Sequence, residues 1–419
     1  MCPKSTLNEI ILEIAIDCLY NCIYSKTHDM GENNMKLKRL VAVATMSVLV
    51  LTAITGCNSG GSSGAGGDTI KIGASFALTG DVAIYGKAAN NGAKLAIKEY
   101  NANGGVLDKQ IEYVVEDNKG DEIESTNAFR KLVDKENIIA FMGSDVSSTT
   151  EAIAKLAAEE NMPMITPTGT KMGITAIGDN IFRACYIDPY QGRIIADFAA
   201  TDLGGKTAAI LMDNGADYSE GIAETFAETF ESHGGKIVNI ESYTDQDKDY
   251  KPLLLNIKAN NPDIILIADY YGPVSLIAQQ IKEEGIKSTL VGPDGWDGVV
   301  GQIEHDPSVL EGAFFINHFS SDIEDPIIQS FIKSYKAEYN EEPNSFAALG
   351  YDAAKILLDA ILEAGTTDAN EIIAKMQATE IDGATGHITF GPDRNPVKSV
   401  VIIEIKDGQN TTYKQMDPQ

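Results

Sequence analysis

The sequence predicts an α/β protein of two lobes, each a doubly wound parallel sheet with helices on both faces. Three observations predict it. Segments with strand periodicity alternate with segments of helical periodicity from Asp68 onward. The pattern starts afresh near Thr207, and no stretch rich in Gly, Ser or Pro separates the two blocks. Strand–helix alternation implies crossover helices that cover both faces of a parallel sheet. The missing linker implies lobes coupled through short crossovers rather than strung as beads.

The elements follow in order. Thr69–Ser75 (TIKIGAS) alternates as a strand. Gly86–Asn103 places Ala89, Ala93, Ala96, Ile97 and Tyr100 at helical spacing and stops at Gly104-Gly105, a helix-end signal. Gln110–Glu116 reads as a strand, Glu122–Lys135 as a helix and Ile138–Met142 as a short buried strand. Ser147–Glu160 is a helix, and Met162–Ile165 the strand after it. In the second block, Thr207–Met212, Lys236–Tyr243, Asp263–Ala268 and Thr289–Val291 are strands. The helices between them are Ser219–His233, Tyr250–Ala259 and Tyr271–Glu284. No short repeat recurs, so a solenoid is excluded.

The first sixty residues read as an export address. Lys-Leu-Lys-Arg at 36–39 is a basic n-region, and LVAVATMSVLVLTAI at 40–54 is an uncharged run of signal-peptide length. It ends in Ile54-Thr55-Gly56-Cys57, which resembles a bacterial lipobox. That resemblance implies cleavage before Cys57 and a diacylglyceryl group on its sulfur, a two-chain anchor of the kind stable attachment requires. Residues 58–67, NSGGSSGAGG, form a flexible tether. Residues 1–34 precede the basic n-region and fall outside this scheme, so Met35 is the expected start. Gly31-Glu32 can be encoded as GGAGAA, which resembles a ribosome-binding sequence upstream of that start; a cleaved leader is the other reading.

Composition and motifs narrow the function. The chain has 419 residues, 43% of them hydrophobic, which is ample for a packed core. Its net charge of −28 argues against nucleic acid as a partner and favours solubility. Cys2, Cys18, Cys22, Cys57 and Cys185 form no zinc-ribbon spacing; Cys185, in a predicted strand, reads as a small buried hydrophobe. The chain lacks a GxGxxG turn, GxxxxGK[ST], GxSxG and HExxH. His28 lies in the discounted leader, and His233, His305, His318 and His387 share no ligand spacing and read as surface or hydrogen-bonded side chains. Binding is therefore favoured over catalysis, with no metal and no cofactor.

Several polar groups fall just after strands, where open α/β sheets bind ligands. Gly143–Thr149 opens a helix whose free N–H groups, with the Ser147 hydroxyl, suit a carboxylate; plain capping by Ser147 is an equal alternative. Thr166–Thr170 offers further donors or an ordinary loop. Asp294, in Gly292-Pro293-Asp294-Gly295, suits an ammonium group or a turn. Tyr85, Tyr218 and Tyr270 stand at strand–helix junctions and can wall a pocket or pack at the surface.

These pieces resemble a family from about Asp68 to the end: the type I periplasmic binding proteins of the Leu/Ile/Val class. Thr79-Gly80, Ala83-Ile84-Tyr85-Gly86 and Asn91-Gly92-Ala93 carry the match, with Asn101–Val106 as the "N-x-x-G-G-[IV]" helix end. Gly143, Ser147-Ser148-Thr149 and Met164–Pro167 follow. Asp217–Gly221 is similar to the "YGxG" junction, Gly292–Gly295 to "GPEG", and Gly350-Tyr351-Asp352-Ala353 to the late helix. The resemblance implies a three-strand hinge joining a lobe of 68–187 plus 319–396 to one of 188–318 plus 397–419. It implies that Ser147, Thr168 and Thr170 bind an α-carboxylate, Thr168 mainly through its backbone. It also implies that Asp294 and Tyr218 meet the α-ammonium, and that Tyr85, Tyr270 and Phe346 line the side-chain pocket or close over it.

Three departures stand out. Asp294 replaces the usual Glu, Asn118 and Val146 stand near the positions of a family disulfide, and Trp296-Asp297 adds bulk and charge expected to reshape the pocket. The function implied is a monomeric, lipid-anchored receptor on the outer face of the cell membrane, of a Gram-positive type. It delivers a branched-chain or related amino acid to the permease of an ABC importer. The alternatives are a same-fold receptor for an amide, urea or aromatic acid, a sensory ectodomain with a signalling partner, and an enzyme.

Overall fold

A computed structural model describes residues 69–303 and 306–417. The expected leader, signal peptide, lipidated Cys57 and tether lie outside them, as do His28 and His305.

The first sheet has five parallel strands in the order β2-β1-β3-β4-β5: β1 (Ile70–Phe76), β2 (Ile111–Asp117), β3 (Ala140–Gly143), β4 (Met164–Thr166) and β5 (Ile181–Arg183). Helices α1 (Ala83–Ala102), α2 (Glu122–Lys131) and α3 (Ser147–Glu159) link the first four strands. Side chains leave a strand to alternate faces. Ile70, Ile72 and Ala74 accordingly pack with α1, while Phe141 and Met164 pack with Phe129 of α2 and Ile153 of α3. The helix expected over Glu122–Lys135 ends its α-turns at Lys131 and continues as a wider π-turn, Leu132–Glu136, closed by left-handed Asn137.

The second sheet has seven strands in the order β15-β14-β10-β9-β8-β6-β7. Its parallel part is β6 (Thr207–Asp213), β7 (Lys236–Tyr243), β8 (Ile264–Ala268), β9 (Thr289–Gly292) and β10 (Ala313–Asn317). Those five repeat the order of the first sheet. Helices α4 (Asp188–Thr201) and α5 (Asp217–Ser232) pack with Ala208 and Ile210 on one face. Helices α6 (Lys251–Asn260) and α7 (Tyr271–Glu284) pack with Ala209 and Leu211 on the other. The sheet also carries an antiparallel edge: β14 (Val400–Lys406) pairs antiparallel with β10, and β15 (Gln409–Met416) pairs antiparallel with β14. A hairpin needs no crossover helix, so it adds strands without covering either face.

Between the two passes lie α8 (Pro326–Tyr339), α9 (Ser345–Ala364) and α10 (Ala369–Gln377), followed by a small antiparallel sheet of β11 (Glu380–Gly383), β12 (Gly386–Phe390) and β13 (Pro396–Val397). Leu349, Ala353, Ile372 and Ile388 join the core of the first sheet, so this segment belongs to the first lobe. The chain therefore crosses between lobes three times: after β5, after β10 and after β13. Cys185 is buried, but it stands two residues past β5 on the first crossover rather than in a strand.

Candidate functional site

The carboxyl ends of both sheets face one cleft, and all eight residues singled out in the sequence line it. Tyr85 lies in the first turn of α1, Ser147 opens α3, and Thr168 and Thr170 follow β4. Tyr218 opens α5, Tyr270 precedes α7, Asp294 follows β9, and Phe346 opens α9. Asp145, Val146 and Gly295 complete the lining of this small cavity.

One end presents the Ser147 hydroxyl and the N-terminus of α3. Val146, not Ser147, is the α3 cap residue, and no side chain caps the helix. The Ser147 hydroxyl instead accepts from the Lys171 N–H at 3.1 Å. It stands at the positive pole of α3, which favours an anion. The Thr168 hydroxyl donates to the Asp145 carbonyl at 2.7 Å. Buried Arg183 donates to the carbonyls of Gly169 (2.7 Å) and Lys171 (2.9 Å), fixing the threonine loop from behind. Asp145 is itself buried and raised above the usual carboxylate range by burial; Ser144 and the Ala77 N–H oppose the rise.

The other end is acidic. Asp294 accepts from the Tyr218 hydroxyl at 2.7 Å and lies 3.0 Å from His318 Nε2, and its own N–H donates to Gln191 Oε1 at 3.0 Å. Asp188 stands close by; burial pushes its carboxyl up to about 8, with the Asp294 charge adding and the Thr170 hydroxyl opposing. Aromatic rings fill the middle. Tyr85 stacks on Phe346 with centroids 4.2 Å apart, and Tyr218 stacks on Tyr270 at 4.7 Å. Burial raises the phenols of Tyr85, Tyr218 and Tyr270 well above their ordinary range, so all three remain neutral donors.

The cleft is closed. The Tyr85 hydroxyl donates across it to the Gly295 carbonyl and accepts from the Tyr271 N–H at 3.2 Å. Tyr271 donates to the Asp81 carbonyl, and Lys171 pairs with Asp217 opposite and with Glu151 at 2.5 Å.

Trp296 and Asp297 do not reshape the pocket as expected. The Trp296 ring is fully buried under β8, donating Nε1–H to the Ile267 carbonyl at 2.9 Å, while Asp297 accepts from Asn317 and from the Ser345 N–H. Both brace the site from outside. Asp145, Arg183, Asp188, Gln191 and His318 were missed by sequence reasoning. His318 sits in an apolar strand end, FFINHF, which carries no local sign of its partner.

Comparison with known proteins agrees with the two-lobed fold. Residues 69–410 match the model of a periplasmic binding protein family. The leucine-, isoleucine-, valine-, threonine- and alanine-binding protein of Pseudomonas aeruginosa is 30% identical over 325 residues, covering 77% of this chain and 86% of the relative. Among solved structures, the leucine binding protein LivK of Thermotoga maritima superposes with a TM-score of 0.79 at 31% identity, covering 84% of this chain and 99% of that one. LivJ of Streptococcus pneumoniae, solved with isoleucine, gives 0.79 at 32% identity with the same coverage. From the family match, the sequence relatives and the two-lobed architecture together, this chain belongs to the periplasmic binding protein family.

Proposed function

We propose that the protein captures a branched-chain amino acid between its lobes and delivers it to the permease of an ABC importer. The observation that carries this reading is the polarity of the closed cleft: the Ser147 hydroxyl and a helix pole at one end, Asp294 at the other, aromatic rings between. A zwitterion with an apolar side chain matches all three. Ser147, Thr168 and Thr170 are assigned to the α-carboxylate, with Asp294 and Tyr218 on the α-ammonium. Tyr85, Tyr270 and Phe346 are assigned to the side chain. The relatives named for leucine, isoleucine and valine support the same ligand class.

The lobes run over 68–187 plus 319–396 and over 188–318 plus 397–419, with closure about the three crossovers trapping the ligand. Cys57 carries the lipid anchor, residues 58–67 tether the domain outside the cell membrane, and the protein works as a monomer without catalysis. Calorimetric titration with the twenty amino acids tests the ligand. Micromolar binding of leucine, isoleucine or valine is expected. Silence from all twenty, with benzoate, urea or an amide binding instead, overturns the assignment. Detergent phase partitioning tests the anchor: Cys57→Ser should move the protein into the aqueous phase.

A further inference from the structure

We infer that His318 is a positioning residue for the cleft: a neutral imidazole whose Nε2–H holds the Asp294 carboxylate in the orientation that meets the ligand's ammonium group. The inference rests on the amino-acid reading above and assigns it a residue outside the cavity lining.

Contacts at Nε2, on the ring face and at the backbone fix the imidazole. His318 follows β10 and Asp294 follows β9, and these neighbouring parallel strands bring both residues to the same sheet edge. His318 Nε2 lies 3.0 Å from Asp294 Oδ2, with the His318 side chain 0% exposed. The ring stacks on Tyr186 of the first crossover, 3.7 Å between centroids and 21° between planes. The His318 N–H donates to Asn317 Oδ1 at 2.8 Å, which holds the backbone as well.

The tautomer follows from the partners. Nδ1 is buried with no hydrogen-bond partner among the described residues. A proton on Nδ1 would leave a buried donor unmade and point the Nε2 lone pair at a carboxylate oxygen. A proton on Nε2 satisfies the carboxylate and leaves only a weak acceptor unpaired. Burial, helped by the Lys398 charge on the third crossover, also disfavours the doubly protonated ring, although Asp294 opposes this; the imidazole titrates near about 4.

Neutrality gives the ring its role. A carboxylate has about four acceptor sites. Tyr218 and His318 take one on each oxygen of Asp294, which leaves one on each for ligand N–H groups. Both helpers are neutral, so the group keeps its full negative charge. An imidazolium would cancel that charge and leave the ammonium facing a neutral pair. Asp294 stands one methylene short of the family's usual Glu, and His318 and Gln191 fix the shorter side chain from its carboxylate and its backbone N–H.

The test uses two variants and two probes. His318→Leu should weaken L-leucine about tenfold to a hundredfold, the range of a hydrogen bond to a charged group. It should change the affinity for 4-methyl-2-hydroxypentanoate, which lacks the ammonium, by less than about twofold on the same reasoning. His318→Gln keeps an N–H donor at the same reach and should restore leucine binding to within about threefold. Equal weakening of both probes, or no rescue by Gln, would reduce His318 to a structural residue and overturn the inference. Nitrogen-15 NMR of the unliganded, unaltered protein at neutral pH should show His318 protonated at Nε2 only; the other tautomer or an imidazolium also overturns it. That spectrum needs no ligand, so failure of the unaltered protein to bind leucine counts against the proposed function separately.

Discussion

Replacing Gly92 with alanine should drive apart the two helices that carry the aromatic wall of the cleft. Gly92 of α1 lies directly against the backbone of α9, where an added Cβ would stand 1.8 Å from the Ala347 carbonyl oxygen. Gly350 of α9 reciprocates, its Cβ falling 2.0 Å from the Ala89 carbonyl oxygen. Ordinary contact begins at 3.4 Å, so the backbones must part by 3.4 − 1.8 = 1.6 Å. The obstructing atoms are backbone, so no rotamer change relieves the clash. Overpacking a core costs about 1–3 kcal/mol, and a backbone clash belongs at the upper end, about 3 kcal/mol. Alanine's better helix propensity offsets about 0.5–1 kcal/mol of that. At about 2–4 °C per kcal/mol for a large domain, the melting temperature should fall by about 4–10 °C.

Binding should suffer too. Tyr85 and Phe346 ride on these same helices and stack at 4.2 Å, a contact that a shift of this size loosens. Loosening an aromatic pair worth about 0.5–1.5 kcal/mol weakens leucine by up to about tenfold. Differential scanning calorimetry and isothermal titration read the two effects. Gly272→Ala is the control: it lies in α7 with nothing within 4 Å of its Cβ, and should be neutral or slightly stabilising. A Gly92→Ala protein that melts within about 1 °C of the unaltered one, a small fraction of the expected shift, would refute the close crossing.

Other measurements probe the charges. Asp294→Asn keeps the shape but removes the charge, so leucine affinity should fall about tenfold to 150-fold, and a loss under about threefold would remove Asp294 from the ammonium role. Asp188 is raised from 3.8 to about 8, so the folded state keeps a proton that the unfolded chain releases between those values. Stability should therefore fall as pH rises from about 4 to about 8, and Asp188→Asn should remove a slope of about 1.4 kcal/mol per pH unit. Parallel urea midpoints for the two proteins across that range would contradict this. Lys171 bridges Glu151 and Asp217 across the cleft at a partly exposed position. Lys171→Ala should cost at most about 1 kcal/mol, under about fivefold in affinity, and the difference should vanish in 1 M salt. A larger, salt-independent loss would place Lys171 in contact with ligand.

Strand and helix boundaries were largely legible because periodicity reports which side of a segment is buried. Lys236–Tyr243 and Tyr271–Glu284 occur as the pattern predicts, and most other elements differ by one to three residues. Ser147, Thr168, Thr170 and Asp294 were legible as cleft residues by the same logic, since each follows a strand of a parallel sheet. The sequence alone thus determined two α/β lobes and the edge at which a ligand site forms.

Tertiary structure alone decided the rest. Periodicity does not say which strand lies beside which, so the antiparallel β14–β15 hairpin and its pairing with β10 were hidden. Nor does it reveal partners distant along the chain. Gln191 meets the backbone of Asp294 across 103 positions, and Tyr85 meets Gly295 across 210. Trp296 looked like a pocket residue because it adjoins Asp294, yet the 3₁₀ turn over Asp294–Trp296 sends its ring into the core. His318 looked like an incidental histidine because its role depends on Asp294 one strand away. Local sequence fixes which face a side chain takes; what waits on that face depends on sheet order and on closure of the lobes, and both are set by contacts between distant parts of the chain.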